Sequence, residues 1–169
     1  MNHFELFEIP VSFKPDAQQL KKKFYALSRQ HHPDFYTLEN EVEQAEALEK
    51  SSQVNKAFKI FRNLDETIKY VLQLKGLLEE EEKYNLPPDF LMEMMELNEQ
   101  MMEAKMDEDA NSIDRLKNVT ADLEEEIYAP VKEIVEKYEE AKTTTAELLR
   151  VKEYYYKKKY LNRILAAIQ

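Results

Sequence analysis

Apolar residues in this 169-residue chain recur mostly at spacings of three and four, the period of helices buried on one side. Leu20, Phe24, Leu27 and His31 stand at i, i+4, i+7 and i+11 and predict one buried helix face. Pro15-Asp16 opens that helix, with Asp16 as N-cap and Gln19 as its capping-box partner. Pro33 closes it, because proline disfavours helical geometry in the residue before it. A shorter helix over Phe4 to Phe7 stops near Pro10. A third runs from near Glu39 to about Asn63, with Ala45, Leu48, Val54, Ala57, Phe58 and Phe61 as its apolar positions. A further helical stretch, Thr67 to Lys75, carries Ile68, Tyr70, Val71, Leu72 and Leu74, and Gly76 stands where a helix-ending glycine belongs. Hairpin pairs such as Asn-Gly are absent and helix formers dominate, so the fold class is all-α.

Pro87-Pro88 is a stiff break, and Glu79–Glu82 reads as a solvated charge run. The domain boundary is therefore expected between Gly76 and Pro88, giving modules 1–76 and 89–169 joined by a linker, 77–88. Three helices are expected in the second module: about Asp89 to Met106, about Glu108 to Ala141 with Pro130 as a kink or short break, and about Thr145 to Ile168 behind a Thr143-Thr144-Thr145 cap. Short connections make neighbours antiparallel, hence a three-helix bundle. In the last helix Val151, Tyr154, Leu161, Leu165 and Ile168 form a core stripe that neighbouring tyrosines flank.

Charge separates the two modules. Residues 1–76 carry 11 acidic and 11 basic side chains, whereas 77–169 carry 23 and 13 and hold the whole net charge of −10. The second module should repel nucleic acid. Without cysteine there is no disulfide, thiolate metal site or Cys nucleophile, and a single glycine excludes Gly-rich phosphate loops. No apolar run approaches the ~20 residues that cross a bilayer. The first residues carry neither a basic-then-apolar signal pattern nor an Arg-rich transit pattern, so a soluble, cytoplasmic protein is expected.

His32-Pro33-Asp34 is the first chemical motif. Alone it reads as well as a helix-ending turn, since it turns up by chance in about one chain of this size in a hundred. Its flanks change the reading. Lys21, Lys22, Lys23 and Arg29 make a basic stripe opposite the apolar face, with Lys22 and Arg29 about one above the other. Val54-Asn55-Lys56-Ala57-Phe58 lies downstream, and Phe4-Glu5-Leu6-Phe7-Glu8-Ile9-Pro10 opens the chain. Together these resemble a J-domain, in a helical-hairpin fold, and specifically that of the HscB-type iron–sulfur co-chaperones; the run Val54 to Gly76 is similar to that subfamily's extended third-helix region.

The resemblance implies that Lys22, Lys23 and Arg29 meet an acidic surface on the ATPase domain of an HscA/DnaK-type chaperone. It implies that His32 and Asp34 engage that domain near its interdomain linker, with Pro33 holding the turn. Many J-domains follow the tripeptide with Lys or Arg; here Phe35 stands there, and Leu64-Asp65 and Thr67 replace the Asp-Pro and Arg often found after the third helix. The cysteine ligands of some eukaryotic relatives are absent, so no zinc is implied.

The helix from Asp89 to Met106 has more apolar surface than a core stripe needs. Phe90, Met94, Leu97 and Met101 suffice for that stripe. Leu91, Met92, Met95, Met102 and Met106 are extra, and six of the chain's seven methionines fall between Met92 and Met106. Methionine is flexible and polarisable and suits surfaces that adapt to a partner, although a helix buried on two sides would carry the same residues. Phe90-Leu91-Met92-Glu93 with Met95-Glu96-Leu97 resembles the first helix of the HscB C-terminal domain, which in that family binds the iron–sulfur scaffold IscU. By position the resemblance implies apolar contacts from Leu91, Met92 and Met95, a polar rim of Glu96, Glu99 and Glu103, and Tyr155 packing beside them. Met95 replaces a more usual leucine at similar volume. Residues 107–150 match only in helical character and length.

The function expected is an adaptor: the chain binds the scaffold, delivers it to the chaperone and stimulates ATP hydrolysis, without a catalytic site or cofactor of its own. A J-domain protein with a different dedicated client is the alternative. An enzyme or metal protein built on His3, His31 and His32 is disfavoured. No catalytic motif supports it, and adjacent His31 and His32 point about 100° apart on a helix.

Overall fold

The computed structural model describes residues 1–167, and within them eight α-helices and one 3₁₀ turn, with no strand. The chain divides into two compact units. The first comprises 1–74 together with 138–142; the second comprises 75–137 and the chain from Thr143 onward.

In the first unit, α1 (His3–Phe7) is opened by a capping box between Asn2 and Glu5. Asp16 caps α2 (Ala17–Gln30), its carboxylate accepting from the Gln19 amide at 2.8 Å. A 3₁₀ turn, Pro33–Tyr36, follows. Asn40 caps α3 (Glu41–Phe61), and α4 (Leu64–Leu74) comes next. Gly76 has φ +70°, the left-handed geometry that glycine supplies without strain just past a helix end. Phe4, Phe7, Val54, Ala57, Phe61, Ile68, Val71 and Leu72 are buried here. Phe24 stacks on Phe58 with ring centroids 3.9 Å apart, clamping α2 to α3. Thr67, fully buried, donates its hydroxyl to the carbonyls of Ile60 and Asn63, both at 2.8 Å, so it adds no unsatisfied group to the core.

Two details of α3 differ from the expectation. Ala45 and Leu48 face solvent, Leu48 at 61% exposure, while Ala47 is buried instead. At 21 residues α3 outruns the 14-residue α2 that covers it, so its early turns have little apolar cover and the stripe rotates there.

In the second unit, α5 (Pro88–Met106), α6 (Ala110–Tyr128) and α8 (Thr145–Ala166) pack together, with the short α7 (Lys132–Glu136) against α8. Pro130 lies in the break between α6 and α7, so of the kink or short break expected there the structure shows the break. Thr144 and Glu147 form a capping box at the start of α8. The core gathers Phe90, Met94, Leu97, Met101, Leu116, Leu161 and Ile164. Leu165 is only partly buried, and the expected core residue Ile168 lies outside the described residues. Residues 75–87 pack on this unit: Leu78 is buried, Tyr84 stacks on Tyr156 at 4.5 Å, and Glu82 pairs with Lys152 at 2.6 Å. Glu79, Glu80 and Glu81 are solvated as expected, but Glu82 is not, because that lysine holds it.

Candidate functional site

The tripeptide is a turn that builds itself. His32 has extended backbone geometry (φ −63°, ψ 127°) and caps the 3₁₀ turn through its own ring, whose Nδ1 accepts from the Asp34 amide at 3.2 Å. Pro33 occupies the first position of that turn, where its missing N–H costs nothing and its fixed φ suits. The Asp34 carboxylate also approaches Nδ1, at 3.6 Å, and Nε2 is the ring's other polar atom. That carboxylate is 85% exposed and turned to solvent. Two further side chains pin the turn. The Tyr36 hydroxyl donates to the Gln30 carbonyl at 2.8 Å, and the Gln44 side-chain amide donates to the carbonyls of Thr37 and Glu39 at 3.2 and 2.8 Å.

The basic stripe leads into this turn. Lys22 and Arg29 are exposed, seven residues or about two helical turns apart. Lys23 points elsewhere on α2 and meets the Glu8 carboxylate at 3.4 Å, an exposed contact of small worth. Tyr25 completes the surface. It lies three residues after Lys22 and four before Arg29, on the same face, and is 53% exposed. Sequence reasoning passed over it, though that spacing was the available signal. Tyr25, Ser28, Arg29, His32, Asp34 and Phe35 line one shallow open groove of about 620 Å³.

The second surface is the outer face of α5. Phe90, Met94, Leu97, Met101 and Ala104 point inward and are buried. Met92 (67%), Met95 (60%), Met102 and Met106 are exposed, and Leu91 is half-buried. At 3.6 residues per turn, Leu91, Met95, Met102 and Met106 fall within about 60° of one another. Glu96, Glu99 and Glu103 are exposed along the adjoining edge. The result is an apolar strip with an acidic border. Tyr155 is buried at 8% exposure, its ring edge-on to Tyr156 at 5.1 Å, so it offers little surface of its own.

The remaining histidines have packing roles. His3 stacks on Tyr70 at 4.5 Å, and its backbone N–H donates to the Tyr70 hydroxyl at 2.9 Å. Burial, and next the Lys56 charge, hold the His3 imidazole below its usual pKa. His31 is half-buried beside Tyr36, Glu43 and Glu46. Among the described residues no group of three or more His, Cys, Asp or Glu side chains is placed to hold a metal ion. Among the described residues no helix is long and apolar enough to cross a membrane.

Residues 86–169 match the family model described as the HSCB C-terminal oligomerisation domain. A co-chaperone protein HscB homolog of Neisseria meningitidis is 31% identical over 132 residues, covering 78% of this chain and 80% of that protein. The homolog of Vibrio vulnificus is 36% identical over 113 residues, an alignment spanning 66% of each, just under two thirds of the relative's length. Among solved structures, human co-chaperone HscB superposes with a TM-score of 0.83 at 25% identity, covering 99% of this chain and 80% of that one. Chaperone HscB from Vibrio cholerae, at 24% identity and a TM-score of 0.76 over 99% of this chain and 95% of that one, shares the fold.

Proposed function

This chain belongs to the HscB co-chaperone family, and from that premise we propose that it is an adaptor of iron–sulfur cluster assembly, bringing an IscU-type scaffold to an HscA/DnaK-type chaperone and stimulating the chaperone's ATPase. The observation that carries the reading is the His32-Pro33-Asp34 turn, self-capped and exposed at the end of a helix that presents Lys22 and Arg29. In this role residues 1–76 act as a J-domain, joined through 77–88 to a scaffold-binding bundle, 89–169. Lys22 and Arg29, with Lys23 once released from Glu8, steer toward an acidic patch on the ATPase domain. His32 Nε2 and the Asp34 carboxylate then make contacts that are better in the hydrolysis-competent state of the chaperone than in its resting state. That difference is what shifts the equilibrium. Hydrolysis takes place in the chaperone, and the chain contributes binding only. The working compartment is the cytoplasm.

On the second unit, Leu91, Met92 and Met95 are the apolar contacts for the scaffold, and Glu96, Glu99 and Glu103 its polar rim. Tyr155 is proposed to pack beside them. The test is the steady-state ATPase rate of the chaperone with the full chain added. Wild type raises the rate, and His32→Gln leaves it at its basal value while retaining the helical spectrum and binding to the scaffold. If His32→Gln stimulates as well as wild type, the reading is wrong.

A further inference from the structure

The methionines of α5 divide into two sets. Met94 and Met101 point inward and are 0% and 1% exposed, whereas Met92, Met95, Met102 and Met106 are 55 to 82% exposed. At 3.6 residues per turn the exposed four lie within about 80° of one another on the helix. The chain has no cysteine, so no thiol takes up an oxidant before a thioether does. The strip therefore gathers four solvent-facing thioethers on one surface, while the bundle core shields the other two. Oxidation of a thioether turns a flexible apolar side chain into a polar sulfoxide. A face that grips by apolar area loses its hold as that area becomes polar, because the sulfoxide oxygens must give up water on binding. At one position the neighbourhood favours the product. The Asn98 side-chain amide donates to Met102 Sδ at 3.7 Å, and an oxygen on that sulfur is a better acceptor than the sulfur itself.

We propose that Met92, Met95, Met102 and Met106 form a reversible oxidation site through which hydroperoxides release the scaffold from α5. The inference rests on the scaffold-binding reading above and adds regulation to that surface. In the forward step a sulfur lone pair attacks the terminal oxygen of the hydroperoxide. The S–O bond forms as the O–O bond breaks, sulfur is oxidised by two electrons, and the peroxide leaves as water or an alcohol. In the reverse step a thiol-dependent methionine sulfoxide reductase supplies two electrons and two protons from two thiols. The oxygen leaves as water and the thiols become a disulfide. A scaffold seated on the strip covers the same sulfurs, so the free chain is the form that is oxidised. The His32-Pro33-Asp34 turn holds no sulfur, so oxidation leaves chaperone stimulation intact.

The test exposes the full chain alone to hydrogen peroxide, removes the peroxide, and titrates the chain with an IscU-type scaffold. Peptide mass spectrometry should show oxygen added at the four exposed methionines about tenfold or more faster than at Met94 and Met101. The scaffold Kd should rise about tenfold, with the helical spectrum and scaffold-free ATPase stimulation unchanged. Methionine sulfoxide reductase with dithiothreitol should restore the original Kd. A variant carrying Met92→Leu, Met95→Leu, Met102→Leu and Met106→Leu keeps volume and apolarity, so it should bind within about threefold of wild type and ignore peroxide. Equal loss of binding by that variant after peroxide overturns the site. So does oxidised wild type that binds as tightly as before while Met92→Glu with Met95→Glu binds weakly, and that result leaves the scaffold reading standing. Undiminished binding by the glutamate variant overturns both.

Discussion

The turn at His32 and the outer face of α5 are both exposed, yet they are made in opposite ways. The turn offers few atoms, each held by a named hydrogen bond: the His32 ring on the Asp34 amide, Tyr36 on Gln30, Gln44 on the carbonyls of Thr37 and Glu39. The α5 face offers area, chiefly from long unbranched methionine side chains, of which Met102 Sδ accepts one long, 3.7 Å contact from the Asn98 side-chain amide. A surface defined by geometry fails when one atom moves, whereas a surface defined by area loses its hold in proportion to the area removed. The first suits a trigger that must distinguish two states of a partner. The second suits a grip that must tolerate a partner's changes of shape.

The largest test of this contrast strikes behind the α5 face. Leu161 is fully buried against the inward residues of α5. Leu161→Ala should destabilise the second unit by about 3 kcal/mol, seen as a lowered thermal transition, while ATPase stimulation without scaffold persists at temperatures below it. Next comes the face itself. Met92→Glu combined with Met95→Glu should weaken scaffold binding about 100-fold in a titration, about 2.7 kcal/mol, with stability unchanged because both side chains are exposed. Stimulation without scaffold should not change. On the turn's side, Lys22→Ala with Arg29→Ala should cost about tenfold in half-maximal concentration at low ionic strength and visibly less at high salt, since exposed charges are screened.

The smallest effect separates packing histidine from functional histidine. The His3 imidazole is held below its usual 6.5, so above that pH both folded and unfolded chains carry it neutral. As pH falls below about 6.5 the unfolded chain takes up the proton first, and stability is lost until the folded group is protonated too. Melts of the full chain between pH 7 and 5 should show a small acid-side loss that His3→Phe removes without altering chaperone stimulation at pH 7.

Much of this was legible from residue order because the local signals agree with the packing. Asp16 and Thr144 are caps in the structure, as expected, and the inward stripe Phe90, Met94, Leu97, Met101 is buried throughout. The tripeptide's neighbours identified its context, but not that His32 would cap the turn with its own ring; that depends on a side-chain torsion no pattern encodes. Helical period likewise cannot reveal where a neighbouring helix stops, and so misplaced Leu48. It also hid the fate of Tyr155, since adjacent tyrosines at 154 to 156 point in three directions and only the packed bundle decides which are covered. Glu82 was unreadable for a different reason: its partner Lys152 is seventy residues away in the chain.

The central claim is that the turn and the α5 face are separable surfaces of one adaptor, and the chaperone ATPase rate with and without scaffold tests it most directly. Wild type should raise the rate alone and raise it further when the IscU-type scaffold is added, and Met92→Glu with Met95→Glu should lose only the scaffold-dependent increment. A chain that leaves the rate at its basal value under both conditions would contradict the account.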